Sequence, residues 1–249
     1  MNSEEIQQAH YDRIAENYDA HYNDACSQEY RIRFQYEPVF AGINLSGRRV
    51  LEAMCGSGHT TQYLLAKGAR VTGLDISARE IDSFRQSWPN SEAICASLLD
   101  SGLENDAFDC VVVSGGLHHV HPHLGEAVNE IHRVLKPGGH LCFIEPHARS
   151  LTDTFRKLWY KHDSLFAENE AAIDVRKLKH EFASSFNFNF EIYLGNLGYL
   201  LVLNSMVFRV PLALKPLYTP IVLKMEAALN KVLGQSLSCN VIAQWQKKL

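Results

Sequence analysis

The chain has 249 residues, 46% hydrophobic and 21% charged, which suits a globular protein with one sizeable core and room for a cap. Its net charge of −4 argues against a nucleic-acid partner held mainly by phosphate contacts. Six scattered cysteines, mostly in apolar strand-like contexts and without a C-x-x-C pair, argue against a disulfide framework and read as reduced, buried thiols.

The first residues, Met1-Asn2-Ser3-Glu4-Glu5, are acidic and polar and lack the charged-then-apolar pattern of a secretory signal, so a cytoplasmic protein is expected. Ser3 to about Tyr22 reads as a helix with Ser3 as N-cap and Ile6, His10 and Ile14 at helical spacing. A second helix is expected over 27–40. The chain then alternates, with strands predicted at 49–54, 70–74, 91–96, 109–114 and 140–145 and helices at 59–67, 78–87 and 123–135. Near-continuous apolar runs such as Cys110-Val111-Val112-Val113 suit a parallel sheet covered on both faces. Lys136-Pro137-Gly138-Gly139 reads as a turn that ends a helix. From Pro146 to Ser185 the pattern becomes aromatic and basic, a segment of helices and loops. Alternation returns in Phe188, Phe190, Ile192 and Leu194, and two late strands are expected at 187–194 and 239–245. Between them the apolar run that begins at Leu197 is too interrupted by polar residues and prolines to span a membrane. It reads as core helix, as a substrate lid or homodimer face over 197–223, or as a membrane-surface element.

One stretch carries the chemistry. Val50-Leu51-Glu52-Ala53-Met54-Cys55-Gly56-Ser57-Gly58 is a strand end followed by a two-glycine loop, and His59-Thr60-Thr61 begins a helix. A backbone that lets a ligand come close, set against a helix N-terminus, makes a nucleotide-type site. From Gly56 the spacing is G-x-G-x-x-T, so Thr61 stands where a dinucleotide fingerprint has its third glycine, which disfavours a nicotinamide oxidoreductase. Asp75 ends the next apolar segment about 20 residues on, where a carboxylate can accept from both ribose hydroxyls. Loop and acid together predict an adenosine-containing ligand and do not require a pyrophosphate.

With these residues the chain resembles the class I S-adenosylmethionine-dependent methyltransferases, in their small-molecule, ubiquinone-biosynthesis-like branch. The resemblance runs from about Tyr11 to Glu145. It rests on Val50–Gly58, Val71–Asp75, Phe108–Val113, Leu117-His118-His119-Val120 and Glu130–Gly139, and returns weakly at Asn240–Trp245. It implies an α/β, Rossmann-like, doubly wound sheet of seven mostly parallel strands with an antiparallel late strand and a helical cap. It divides the chain into N-terminal helices closing over the cofactor (1–45), a cofactor-binding core (46–146), a cap (147–186) and late strands with an apolar helical segment (187–249). The implied cofactor is S-adenosyl-L-methionine, leaving as S-adenosyl-L-homocysteine.

Glu52, Ala53, Gly56 and Gly58 are assigned to the cofactor loop, Asp75 to the ribose and Ile76 to the adenine face; a tight turn and a helix N-cap are the bland alternatives. The register that holds an aspartate in related enzymes here holds Ser97, a departure, with Leu98 beside it as a packing surface for the ring. Ser114 follows the fourth strand, beside the place of the transferable methyl. Tyr11 and Tyr18 resemble tyrosines that close over the cofactor, where a ring face can hold a sulfonium, or else they are core. His118, His119 and His147 are candidate general bases, each competing with a packing role. No metal site is assigned, because acids are sparse around His118, His119, His121 and His123.

The expected function is methyl transfer to an O, N or C atom of a small-molecule acceptor in specialised or cell-envelope metabolism. The alternatives are a cofactor-dependent reaction of cyclisation type and a non-catalytic partner subunit. No nucleic acid and no stable membrane insertion are expected.

Overall fold

The computed structural model describes residues 24–160, 171–205 and 210–249; the expected first helix, with Tyr11 and Tyr18, lies outside the described residues. The apolar runs form seven strands: β1 (Arg49–Ala53), β2 (Arg70–Asp75), β3 (Glu92–Cys95), β4 (Phe108–Ser114), β5 (Leu135–Pro146), β6 (Phe186–Leu194) and β7 (Asn240–Lys247). They make one sheet in the order β3-β2-β1-β4-β5-β7-β6. The first five pair in parallel. β7 runs against both β5 and β6, so it is the one strand of opposite sense in the sheet. The expected doubly wound, mostly parallel, seven-stranded architecture is the observed one.

Side chains alternate across the pleat and so divide the core in two. Leu51, Val111, Phe143 and Trp245 face one side and meet Val128 and Ile131 of α4 (Leu124–Val134) and Leu178 of α6 (Val175–Glu181). Val50, Val112, Ile144 and Ile242 face the other. There they meet Tyr30 of α1 (Ala25–Arg31), Leu64 of α2 (Thr61–Ala66) and Ile81 of α3 (Ala78–Ser87). Burial on both faces explains why the central strands carry continuous apolar runs.

Local chemistry sets the helix starts. The Asp24 side chain accepts from the N–H groups of Cys26 and Ser27 and caps α1, which continues through a π turn at Ile32–Tyr36. Ser77 caps α3, its hydroxyl accepting from the Glu80 N–H at 3.3 Å in an S-x-x-E pattern. α5 (Leu151–Tyr160) follows β5, and α7 (Lys215–Val232) lies between β6 and β7.

One expectation is corrected. The Lys136–Gly139 segment does not stand as a turn before the strand but bulges out within it. Phe108 pairs with Leu135 and Cys110 with His140, so the four residues between lie opposite Asp109 alone. The Lys136 ammonium then meets the Asp109 carboxylate at 2.9 Å, and Gly138 takes φ +76°, a value only glycine adopts freely.

The segment 195–239 leaves and returns at one place, since Asn240 pairs with Leu194 on one side and Pro146 on the other. Its two ends therefore stand at the carboxyl edge of β5. No helix among the described residues is long and apolar enough to cross a membrane.

Candidate active site

The carboxyl ends of β1, β2, β3 and β4 lie side by side, which is where open α/β sheets bind ligands. After Ala53 the chain turns through Met54 (φ +55°), Gly56 (φ +52°) and Gly58 (φ +92°). Three side chains hold this turn. The Asp75 carboxylate accepts from the Gly56 N–H at 2.8 Å and from the Ser77 N–H at 2.9 Å. The Trp88 indole N–H donates to the Ser57 carbonyl at 3.0 Å. Glu52, buried near the end of β1, accepts from the Thr60 N–H at 2.8 Å and from the Thr61 hydroxyl at 2.5 Å.

Thr61 thereby gains a role that its place in the glycine pattern conceals. A third glycine there would let helix and strand approach; the threonine instead ties α2 to β1 through Glu52. Trp88 was not anticipated either. It fills the space beside Gly58 so closely that a Cβ on that glycine would stand 2.4 Å from the indole nitrogen. The loop is thus a cradle whose floor admits no side chain at Gly58.

Burial pushes the Glu52 carboxyl up to about 7, against the pull of its Thr61 and Thr60 donors. The folded state therefore holds a proton that the unfolded chain releases near 4.5, and stability from this group falls as pH rises from about 4.5 to about 7. The span of about 2.5 units corresponds to on the order of 3 kcal/mol. Urea unfolding of Glu52→Gln at both ends of that window is expected to lack this component of the fall. Equal losses in the variant and the parent would refute the assignment.

The predicted residues fall as follows. Ala53 is buried at the loop's start, and Asp75 and Ile76 are half-buried at the end of β2. The Ser97 hydroxyl accepts from its own turn, at the Leu99 N–H, 3.0 Å away. Leu98 is 4% exposed and packs into the core. Ser114 is half-buried at the end of β4, followed by Gly115 with φ +70°.

The candidate bases separate clearly. His147 is buried and its Nε2 lies 2.9 Å from the Gln235 carbonyl oxygen, an acceptor only, so Nε2 carries the proton and is spent. His119 is buried against His118, the ring centroids 3.8 Å apart. His118 sits on a short 3-10 turn, Leu117–His119, with its Nδ1 2.7 Å from an oxygen of Glu145. Glu145, at the end of β5, also accepts from the N–H groups of Gly116 and Leu117 at 2.8 Å each and of His118 at 3.4 Å. The site therefore joins His118 to a carboxylate set in a nest of backbone donors. That acid is the member of the candidate site that motif reading passed over. Its signal was present: like Glu52, it is an acid inside an apolar strand, which must be compensated where it is buried.

Burial pushes the Glu145 carboxyl up to about 8 despite its backbone donors, and burial with the Arg156 charge holds His118 down to about 3. The two titrate as one unit. Below about pH 8 the pair keeps a proton on the acid, which donates to Nδ1 and leaves Nε2 as N–H. Above it, Nδ1–H donates to the carboxylate and Nε2 bears the lone pair.

The residues fit an adenosyl sulfonium cofactor: a two-glycine loop with no room for a Cβ at Gly58, a carboxylate beside it and an open turn after β4. Residues 51–143 match the model of the methyltransferase domain family. The chain is 34% identical over 114 residues to phthiotriol/phenolphthiotriol dimycocerosates methyltransferase of Mycobacterium leprae, covering 44% of this chain and 42% of that protein. It is 28% identical over 153 residues to demethylmenaquinone methyltransferase of Staphylococcus epidermidis, covering 58% and 62%. The chain thus spans about half the length of these curated relatives. Among solved structures, an N-methyltransferase of Bradyrhizobium japonicum in complex with S-adenosyl-L-homocysteine superposes with a TM-score of 0.56 at 15% identity, covering 90% of this chain and 88% of that one. The matched domain over 51–143, the sheet order and the loops at its carboxyl edge together support a class I S-adenosylmethionine-dependent methyltransferase.

Proposed function

We propose that the protein transfers the methyl group of S-adenosyl-L-methionine to an O, N or C atom of a small-molecule acceptor, in specialised or cell-envelope metabolism. The observation that carries this reading is the convergence, at one sheet edge, of the glycine cradle at 56–58, Asp75 and the His118–Glu145 pair. The names of the relatives from Mycobacterium leprae and Staphylococcus epidermidis support small-molecule methylation.

The bound cofactor supplies an activated methyl on sulfur. Glu52 and Trp88 hold the loop in shape, Ala53, Gly56 and Gly58 leave room for the ligand, and Asp75 meets the ribose. Ile76 and Ser97 flank the adenine, with Leu98 packed into the core behind them, and Ser114 stands beside the methyl. On the acceptor side His118 Nε2 takes the proton that the nucleophilic atom releases, with Glu145 fixing the ring's tautomer. The described parts of the cap, 147–160 and 171–186, line the acceptor side, and orientation by these walls supplies much of the rate.

Titration calorimetry with S-adenosyl-L-methionine tests the cofactor assignment. Asp75→Ala is expected to weaken binding by about ten- to a hundred-fold, the range for lost hydrogen bonds to a charged group. No binding by the parent chain, or equal binding by the variant, refutes it. Mass spectrometry tests the reaction, with a product heavier by one methyl and stoichiometric S-adenosyl-L-homocysteine expected. An isomerised product with the cofactor intact would assign the cyclisation type instead.

A further inference from the structure

The longest helix in the described residues leaves much of its apolar surface open. Leu214, Leu217, Ile221, Met225 and Val232 recur at helical spacing along α7 and are 46–76% exposed. Further exposed apolar side chains follow the helix. Leu237 is 43% exposed in the turn at 235–237, which packs on α5, and the Thr152 hydroxyl donates to the Ser238 carbonyl at 2.7 Å. On α5, Leu151 and Phe155 are 57% and 72% exposed.

Charge decides what this face meets. Glu226 is the one acid between Val210 and Cys239, and it is fully buried, accepting from the N–H groups of Asn196 and Gly198 and from the Tyr30 hydroxyl. Lys215 is buried against Asp24. The exposed charges of α7 are therefore Lys224 and Lys231, both cationic, on a chain whose net charge is −4. In a two-fold dimer a patch meets its own copy. Here that would set lysines against lysines with no acid in the segment to answer them. An anionic headgroup layer answers both features at once, taking the lysines at the phosphates and the apolar side chains below them.

We propose that the exposed face of α7, extended by Leu237 and by Leu151 and Phe155 of α5, docks on an anionic lipid bilayer. The helix lies at headgroup depth and does not cross the membrane. The segment that carries this face departs from and returns to the carboxyl edge of β5, the edge that bears Glu145. Docking is independent of methyl transfer, since it is measured without turnover.

The test is flotation of the full chain with vesicles of phosphatidylcholine alone and of phosphatidylcholine mixed with phosphatidylglycerol. The chain is expected to float with the mixed vesicles and to lose most of that binding at high salt. Leu217→Glu combined with Ile221→Glu is expected to lower the partition coefficient at least about ten-fold, and Lys224→Glu combined with Lys231→Glu by about ten-fold or more on the mixed vesicles only. All four positions are exposed, and calorimetric binding of S-adenosyl-L-methionine by each variant reports an intact fold separately. If the leucine–isoleucine pair of changes unfolds the chain, the lysine pair decides alone. A parent chain that stays with the dense fraction, or variants that float as it does, overturn the proposal. So does a dimer in sedimentation velocity that Ile221→Glu splits, because the face then belongs to a second copy.

Discussion

Glu145→Gln is expected to leave the fold and cofactor affinity intact while lowering turnover by about 10²- to 10⁴-fold, the contribution of a positioned proton acceptor. The glutamine oxygen can take over the two 2.8 Å acceptor contacts from the Gly116 and Leu117 N–H groups. Its amide nitrogen then points at His118 Nδ1, which must become an acceptor, so Nε2 carries a hydrogen at every pH and no longer serves as a base. The parent's kcat/KM is expected to rise with pH and level off above about 8, where the His118–Glu145 pair has given up its extra proton. The variant is expected to lose that step. Steady-state kinetics across the neutral and mildly alkaline range reads both, and a variant within a few-fold of the parent would remove His118 from the chemistry. Glu145→Ala is the harsher change. It strands buried donors at Gly116, Leu117 and His118 and is expected to cost on the order of 3–5 kcal/mol of stability, read by urea unfolding.

Gly58→Ala should damage the donor half of the site as severely. A Cβ there stands 2.4 and 2.8 Å from two atoms of Trp88 and 2.9 Å from Phe84, with the backbone held at φ +92°. Either the indole leaves the Ser57 carbonyl or the loop flattens, and both open the cradle. A loss of about 2–4 kcal/mol in stability is expected from backbone strain and overpacking together. Affinity for S-adenosyl-L-methionine should fall at least about a hundred-fold. Gly56→Ala is the internal comparison: its Cβ would meet nothing nearer than Glu80 at 3.5 Å, and φ +52° is tolerable to alanine at about 1–2 kcal/mol. Calorimetry on the two variants side by side checks the contrast, and equal affinities would mean that the space beside Gly58 does not shape the cradle.

The strands were legible because their signal is repeated. Val50-Leu51, Val71, Cys110–Val113 and Leu141–Ile144 are apolar on both faces, and only a covered parallel sheet asks for that. The glycine loop and Asp75 were legible because backbone approach and a ribose-facing acid sit at fixed separations along the chain. The partners of Glu145 and Trp88 were not, because strand pairing and helix packing bring them together over about 30 residues of intervening sequence, which leaves no local spacing to read. The surroundings of His147 were hidden for the same reason: its hydrogen bond to the Gln235 carbonyl depends on a turn 88 residues away. The Lys136–Gly139 bulge reads locally as a turn, and it is one in backbone terms; its place inside the β4–β5 ladder is set by Asp109 across the sheet.

The return of β7 beside β6 makes everything from Gly195 to Cys239 the inside of one very long hairpin connection. Such a connection can be exchanged as a cassette. Doubling its length costs only about 0.6 kcal/mol in closure entropy, and both anchor points, Leu194 and Asn240, are locked in the sheet. Its foot is not free, because buried Glu226 secures the backbone at Asn196 and Gly198 and reaches across to Tyr30. A lineage, or an engineer, that keeps this foot can vary the outer part of the cassette without disturbing a single rung beneath the glycine cradle. Donor recognition and the identity of whatever the outer face meets can therefore diverge independently within one chain.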